Sequence, residues 1–224
     1  MSDIAPRSHD LFTTIHERSS VRSFRPDPVP LDLVRQAIEA AGWAPSPHGT
    51  QPWRFAVVAS RPSRVRLSSA MAEVWRAQLR LDGTPEDVVE HRLARSQERL
   101  ETAPVVVVLC LFLGDAHPYP DADRQEAEVT MAVQSLGAAA QNFLLALHAL
   151  GLDAGWMCAP LFNPETVRAA LGLDASLIPH AMFPVGMMDA PPKRRPRRAV
   201  ADLIALWDEE PVPAAAPASP AGAL

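Results

Sequence analysis

Three groups of residues in this 224-residue chain could do chemistry. Arg18, Ser20 and Arg22 alternate along one short stretch near the N-terminus, and Lys193 and Arg195 lie in a second basic cluster, Lys193-Arg194-Arg195-Pro196-Arg197-Arg198. Arginine forks and serine hydroxyls suit a phosphate monoester, whose several oxygens accept from bidentate donors. The third group is Pro45-Ser46-Pro47-His48-Gly49-Thr50-Gln51-Pro52. Its prolines exclude a regular helix. It offers Ser46, His48, Thr50 and Gln51 on a stiff loop, the kind of segment on which ligands are commonly held. Read alone, that loop is equally a proline-rich turn with a solvated tip, and arginines near a helix end are commonly surface residues. Taken together, the three groups suit a phosphorylated planar cofactor.

Other chemistries find no support. The seven histidines show neither HxxxH nor HxH spacing, so no zinc centre is expected. There is no GxSxG elbow, Walker loop or GxGxxG. Cys110 lies inside an apolar run where thiolate is disfavoured, and Cys158 reads as a packed thiol in a loop. Two widely separated cysteines make neither a CxxC site nor a disulfide scaffold, so a reducing cytoplasm is the expected compartment. A net charge of −5 argues against a nucleic-acid partner. No apolar run approaches the ~20 residues of a membrane span, and no signal-peptide pattern opens the chain.

The elements that must position these residues are readable from periodicity. Leu31, Val34, Ile38 and Ala41 fall on one helical face just before the proline-rich loop, and Phe55–Ala59 reads as a strand just after it. Leu11–Glu17 forms a short helix ahead of Arg18. Residues 63–101 are helical, broken at Gly83-Thr84-Pro85, and the charged stretch from Glu90 to Glu101 reads as a solvated face or flap. Val105–Leu113 is apolar throughout, as in a strand covered on both faces. Glu128–Leu150 makes a long helix with small residues, Gly137 to Ala140, at its centre, and Gly151 suits its end. Asn163-Pro164 starts a further helix as N-cap and first-turn proline, and His180–Gly186 is the last strand. Residues 1–10 are expected to be a flexible start, 11–210 one domain, and the Pro/Ala-rich 211–224 a disordered tail.

Five segments then appear together in order. They are Arg18-Ser19-Ser20-Val21-Arg22-Ser23-Phe24 with Pro28-Val29, Ala44-Pro45-Ser46 through Gln51-Pro52-Trp53, Gly151-Leu152-Asp153-Ala154-Gly155-Trp156, and Lys193-Arg194-Arg195. Over roughly residues 10–207 they resemble the FMN-dependent nitroreductase family. Within it the chain most resembles the FMN-binding C-terminal domain of the bifunctional deazaflavin-coenzyme (factor 420) ligase. That finer likeness is carried by Pro47-His48, His117-Pro118-Tyr119-Pro120-Asp121, Arg124 with Glu126 and Glu128, and Ala159-Pro160-Leu161-Phe162.

The resemblance implies an α+β sandwich, a central mixed sheet flanked by helices, with the long helix at the interface of an obligate homodimer. It implies FMN as cofactor, with Arg18, Ser19, Ser20, Arg22, Lys193 and Arg195 on its phosphate and pyrimidine edge. Pro45, Ser46, Pro47, Gly49 and Gln51 would contact the flavin or the partner subunit's flavin. The backbone of Met157, Cys158, Ala159 and Pro160 would approach the N5 edge, and His48 and Trp75 would form the substrate wall. No side chain is required as a nucleophile. Ser19 stands where many relatives carry a second arginine, and Gly49 where they carry asparagine, which removes one polar contact. The ligase domain of the deazaflavin enzyme has no counterpart here, so a standalone reductase is expected. The implied reaction is ping-pong hydride transfer from a reduced nicotinamide or deazaflavin to a small conjugated acceptor, one candidate being a dehydro-precursor of the deazaflavin coenzyme. General nitroarene or quinone reduction is an alternative, as is a protein that holds FMN or deazaflavin without turnover.

Overall fold

The computed structural model describes residues 4–7, 10–192 and 194–208. Among these residues the helices are α1 (Leu11–Glu17), α2 (Leu31–Ala41), α3 (Arg61–Leu81), α4 (Glu86–Thr102), α5 (Ala122–Ala149) and α6 (Pro164–Leu171). The strands are β1 (Trp53–Val58), β2 (Val105–Phe112), β3 (Asp153–Ala154) and β4 (Leu177–Gly186). They form one sheet in the order β1-β2-β4-β3.

The uninterrupted apolar run of β2 is explained by what covers it. Val105, Val107, Leu109 and Leu111 face one layer, built from α2 and α5. Val106, Val108 and Cys110 face the other, against Leu67 and Met71 of α3, Leu100 of α4 and Val167 of α6. Alternate residues of a strand point to opposite faces, so a doubly covered strand must be apolar at every position. Phe143 of α5 sits at the centre of the first layer, its ring centroid 5.6 Å from Phe55 and 5.4 Å from Phe183.

The mixed sheet expected above is antiparallel at every named strand pair, and its parallel component is the single bridge between Ser20 and Ala154. The reason lies in the connections. A parallel pair needs one crossover helix. Here α3 and α4 pack against each other as a helical hairpin between β1 and β2 and return the chain to the edge where β1 ended.

Three local readings change in the structure. α4 is not a free flap: Val89, Leu93 and Leu100 are buried, the first two against Leu79 and Trp75 of α3. α5 starts at Ala122, where Asp121 caps it by accepting from the Arg124 amide at 3.0 Å. The described part of the N-terminus is anchored, since the Arg7 amide donates to Ala149 O at 2.9 Å. The compact unit ends at Pro192, and the described residues 194–208 belong to a second unit. The expected tail at 211–224 lies outside the described residues.

Candidate functional site

The short strand β3 organises the site. The segment carrying Ser20 and Arg22 lies along it, with the Val21 amide donating to Ala154 O at 3.0 Å. Gly155 permits this approach, because a Cβ there would lie 2.5 Å from Val21 O. Beyond it the Gly155 amide donates to Pro184 O at 3.1 Å, and Met157 and Met182 exchange amide bonds of 3.0 and 2.8 Å. The chain then turns through a single 3-10 turn, Ala159–Phe162. The sheet edge therefore delivers Met157, Cys158, Ala159 and Pro160 beside Ser20 and Arg22.

Behind β3, the buried carboxylate of Asp153 accepts from both Arg7 nitrogens, at 2.6 and 2.7 Å, and from the Met188 amide at 3.0 Å. Arg7 also donates to His148 Nδ1 at 2.8 Å. Burial, and then the Arg7 charge, hold the His148 pKa below its ordinary value.

In front of β3 are two adjoining openings. Ser20, Arg22, Gly155 and Trp156 border a narrow cleft. Next to it lies a cavity of about 750 Å³ between α3, α4 and the Met157–Phe162 turn. Met157 and Arg99 line both. Trp75, Met71 and Leu100 give the cavity an apolar wall, and Cys158 and Ala159 its edge. Arg99 is half-buried there, and its pKa is lowered first by burial and then by the charges of Arg22 and Arg95. Asn163 also lines the cavity; its Oδ1 is buried without a hydrogen-bond partner, and the side chain does not cap α6 as expected. A buried amide oxygen left unpaired is costly unless something else donates to it. The arrangement suits a planar, anionic ligand: an apolar wall, a converging set of guanidiniums and an open acceptor.

The structure thus brings Ser20, Arg22, Met157, Cys158, Ala159 and Trp75 around one region. Pro160 is buried within the same turn, and Arg18 and Ser19 are half-buried where α1 ends. The loop of Pro45, Ser46, Pro47, His48, Gly49 and Gln51 is not among the residues lining either opening. Pro47–Gly49 forms a 3-10 turn held by its own bonds, Gln51 amide to Ser46 Oγ at 3.1 Å and Thr50 Oγ1 to Pro47 O at 3.1 Å. His48 and Gln51 adopt positive φ, 54° and 46°, an uncommon state for residues with side chains. The His48 ring lies 6.0 Å from that of His117, which is 4.8 Å from Tyr119. His48 and Trp75 therefore do not share one wall within a protomer: the loop packs with α5, and α3 covers the opposite face of the sheet. Lys193 lies outside the described residues, and Arg195 is exposed in the second unit.

Arg92, Arg95 and Arg99 were hidden by reading α4 as a solvated face. Their spacing of three and four was the available signal, since it places them on one side of a helix. Asp153 and Asn163 gave no comparable signal, because their roles depend on distant partners.

Comparison with known proteins gives the family. Residues 15–187 match the Nitroreductase family model. A Thermus thermophilus protein named NADH dehydrogenase is 33% identical over 199 residues, covering 78% of this chain and 83% of its own. A Desulfovibrio desulfuricans nitroreductase solved in complex with FMN superposes with a TM-score of 0.68 at 28% identity, covering 92% of this chain and all of its own. A BluB-like flavoprotein of Clostridium difficile 630 gives a TM-score of 0.75 at 24% identity over 90% of this chain and all of its own, which supports the fold. The chain belongs to the Nitroreductase family of FMN-dependent oxidoreductases.

Proposed function

We propose that FMN binds with its phosphate and pyrimidine edge at Arg18, Ser19, Ser20 and Arg22 and its ring against the Met157–Pro160 turn. The resemblance assigns Lys193 and Arg195 to the same phosphate-binding role. The observation that carries this reading is the convergence of Ser20 and Arg22 with Met157 at one cleft, beside a cavity walled by Trp75. The residues fit the group: Arg22 and Arg99 form no salt bridge among the described residues, and a phosphate would supply negative charge beside them. FMN bound there would supply two-electron hydride chemistry between a reduced nicotinamide and a conjugated acceptor, with ping-pong turnover expected. The protein's part is positioning and electrostatics. Arg22, at the edge of the cleft, would offer a charge-assisted donor to the flavin held there. Trp75, Met71 and Leu100 exclude water and offer a flat apolar face to the acceptor.

A nicotinamide donor is supported by the Thermus relative's name. The finer form of the reading, an acceptor that is a dehydro-precursor of the deazaflavin coenzyme, draws on the two loops that carry that resemblance; the structure brings His48 and His117 of those loops together. We place two copies in the working protein. α1 leaves Leu11, Phe12 and Ile15 exposed, Trp43 after α2 is 84% exposed, and a Cβ at Gly137 on α5 would meet open space. A second chain covering these faces would bring a second Pro45–Gln51 loop into the assembly.

The test is steady-state oxidation of NADH and NADPH by the FMN-loaded protein with a panel of nitroarenes, quinones and a deazaflavin precursor. Turnover that saturates in ping-pong fashion is expected. Protein that holds FMN but oxidises neither nicotinamide nor reduced deazaflavin would establish a binding protein instead.

A further inference from the structure

We propose that Arg92 and Arg95 form an anion subsite that selects acceptors carrying a carboxylate on a conjugated ring. The proposal rests on the FMN reading above and extends it to the class of substrate.

Four observations carry it. Arg92 and Arg95 are three residues apart on α4 and line the same cavity as Trp75. Neither has a salt bridge or a side-chain hydrogen bond among the described residues, unlike four arginines of the facing helix. There Arg64 donates to the carbonyls of Ala59 and Pro104, and Arg66 to that of Ala170. Arg76 pairs with Glu73 and Glu90, and Arg80 with Glu86. Glu86 and Glu90 of α4 are thus already engaged, and the guanidiniums on its cavity side are left over. Third, Asp82 is the one carboxylate among the described lining residues, against the three arginines Arg92, Arg95 and Arg99. Such a wall attracts anions and fixes their orientation.

The fourth observation separates this subsite from the flavin phosphate. Arg99 reaches the narrow cleft that holds Ser20 and Arg22, whereas Arg92 and Arg95 line only the larger cavity. Arg92 lies seven residues before Arg99, about 10 Å along the helix axis. An acceptor ring against Trp75 can place a carboxylate on this pair while its reducible end faces the Met157–Ala159 turn.

The experiment compares FMN-loaded wild type with R92Q/R95Q and R92K/R95K, using 4-nitrobenzoate and the uncharged 4-nitrobenzamide as matched acceptors. The ratio of kcat/KM for acid over amide is expected to fall about tenfold in R92Q/R95Q, and to be largely kept in R92K/R95K. Calorimetric titration of 4-nitrobenzoate into the oxidised holoenzyme is expected to show a matching rise in Kd. Two further arms separate other sources of the anion. A fall in NADPH over NADH preference with the acceptor ratio unmoved would give the pair to the donor's phosphate and overturn the proposal. A loss of FMN affinity with riboflavin affinity kept would give it to the flavin phosphate, and also overturn it. No change in any ratio, with FMN content normal, sinks the subsite but leaves the FMN reading intact. A wild-type protein that cannot be loaded with FMN sinks both.

Discussion

Arg7 grips the carboxylate of Asp153 through two hydrogen bonds, 2.6 and 2.7 Å, joining two residues 146 positions apart in sequence. Asp153 is 3% exposed and begins the strand that positions the Arg18–Arg22 segment and the Met157–Pro160 turn. The ion pair therefore lies behind the site and holds its floor. Arg7→Ala would leave a buried carboxylate unpaired. With the Arg7 side chain 27% exposed, a loss of about 2 kcal/mol is expected. That corresponds to a fall in Tm of about 4–8 °C in a chain of this size, readable by calorimetry.

His148 gives this anchor a pH dependence. Its Nδ1 accepts from Arg7, so its proton sits on Nε2, and burial holds its pKa below the ordinary value. The unfolded chain then binds more protons than the native one as pH falls below about 6.5. Stability contributed by neutral His148 is full above that pH and declines below it, toward the lowered native pKa. His148→Asn, which keeps an acceptor for Arg7 but cannot be protonated, should flatten the stability–pH profile as pH falls below about 6.5, as measured by urea unfolding.

Arg22→Ala should weaken FMN binding about tenfold or more and make flavin reduction harder, because a charge-assisted donor is lost. Fluorescence titration and spectroelectrochemistry read the two effects separately. Unchanged affinity and potential together would remove Arg22 from the site.

Gly155→Ala tests the close approach of two backbones. Its methyl would meet Val21 O and push the Arg18–Arg22 segment off β3. FMN content should fall sharply in purified protein while far-UV circular dichroism stays near that of wild type, since a Cβ there would meet only the Val21 backbone within 4 Å.

The two cysteines should report the site without activity. Cys110 is buried in β2, and burial pushes its thiol pKa up to about 11, so it stays protonated and covered at neutral pH. Cys158 is exposed in the turn, its sulfur accepting from Trp156 Nε1 at 3.1 Å. A maleimide at pH 7 should label Cys158 alone in native protein, and saturating FMN should slow that labelling. Equal labelling with and without FMN would move the flavin ring away from this turn.

Much of this molecule was legible before folding. The periods of Leu31–Ala41 and Val105–Phe112 specified a one-sided helix and a doubly covered strand, because burial on one stripe or on two faces constrains residue type directly. The ordered motifs from Arg18 to Trp156 carried the family resemblance, and they lie within the residues 15–187 that the family model matches. The sequence also hid things that spacing could have shown, notably the arginines at 92, 95 and 99, because charge on a helix usually means solvent.

What only the tertiary structure decided depends on partners far apart in the chain. A local window cannot reveal that Arg7 pairs with Asp153, that Asn163 keeps an unpaired oxygen at a cavity rather than capping α6, or that His48 and Trp75 belong to opposite faces of the sheet. Nor can it show that a helical hairpin between β1 and β2 reverses the chain and makes the sheet antiparallel. Propensity and pattern act over one or two turns of chain, whereas a binding site is assembled from charges and surfaces that meet only when the core closes.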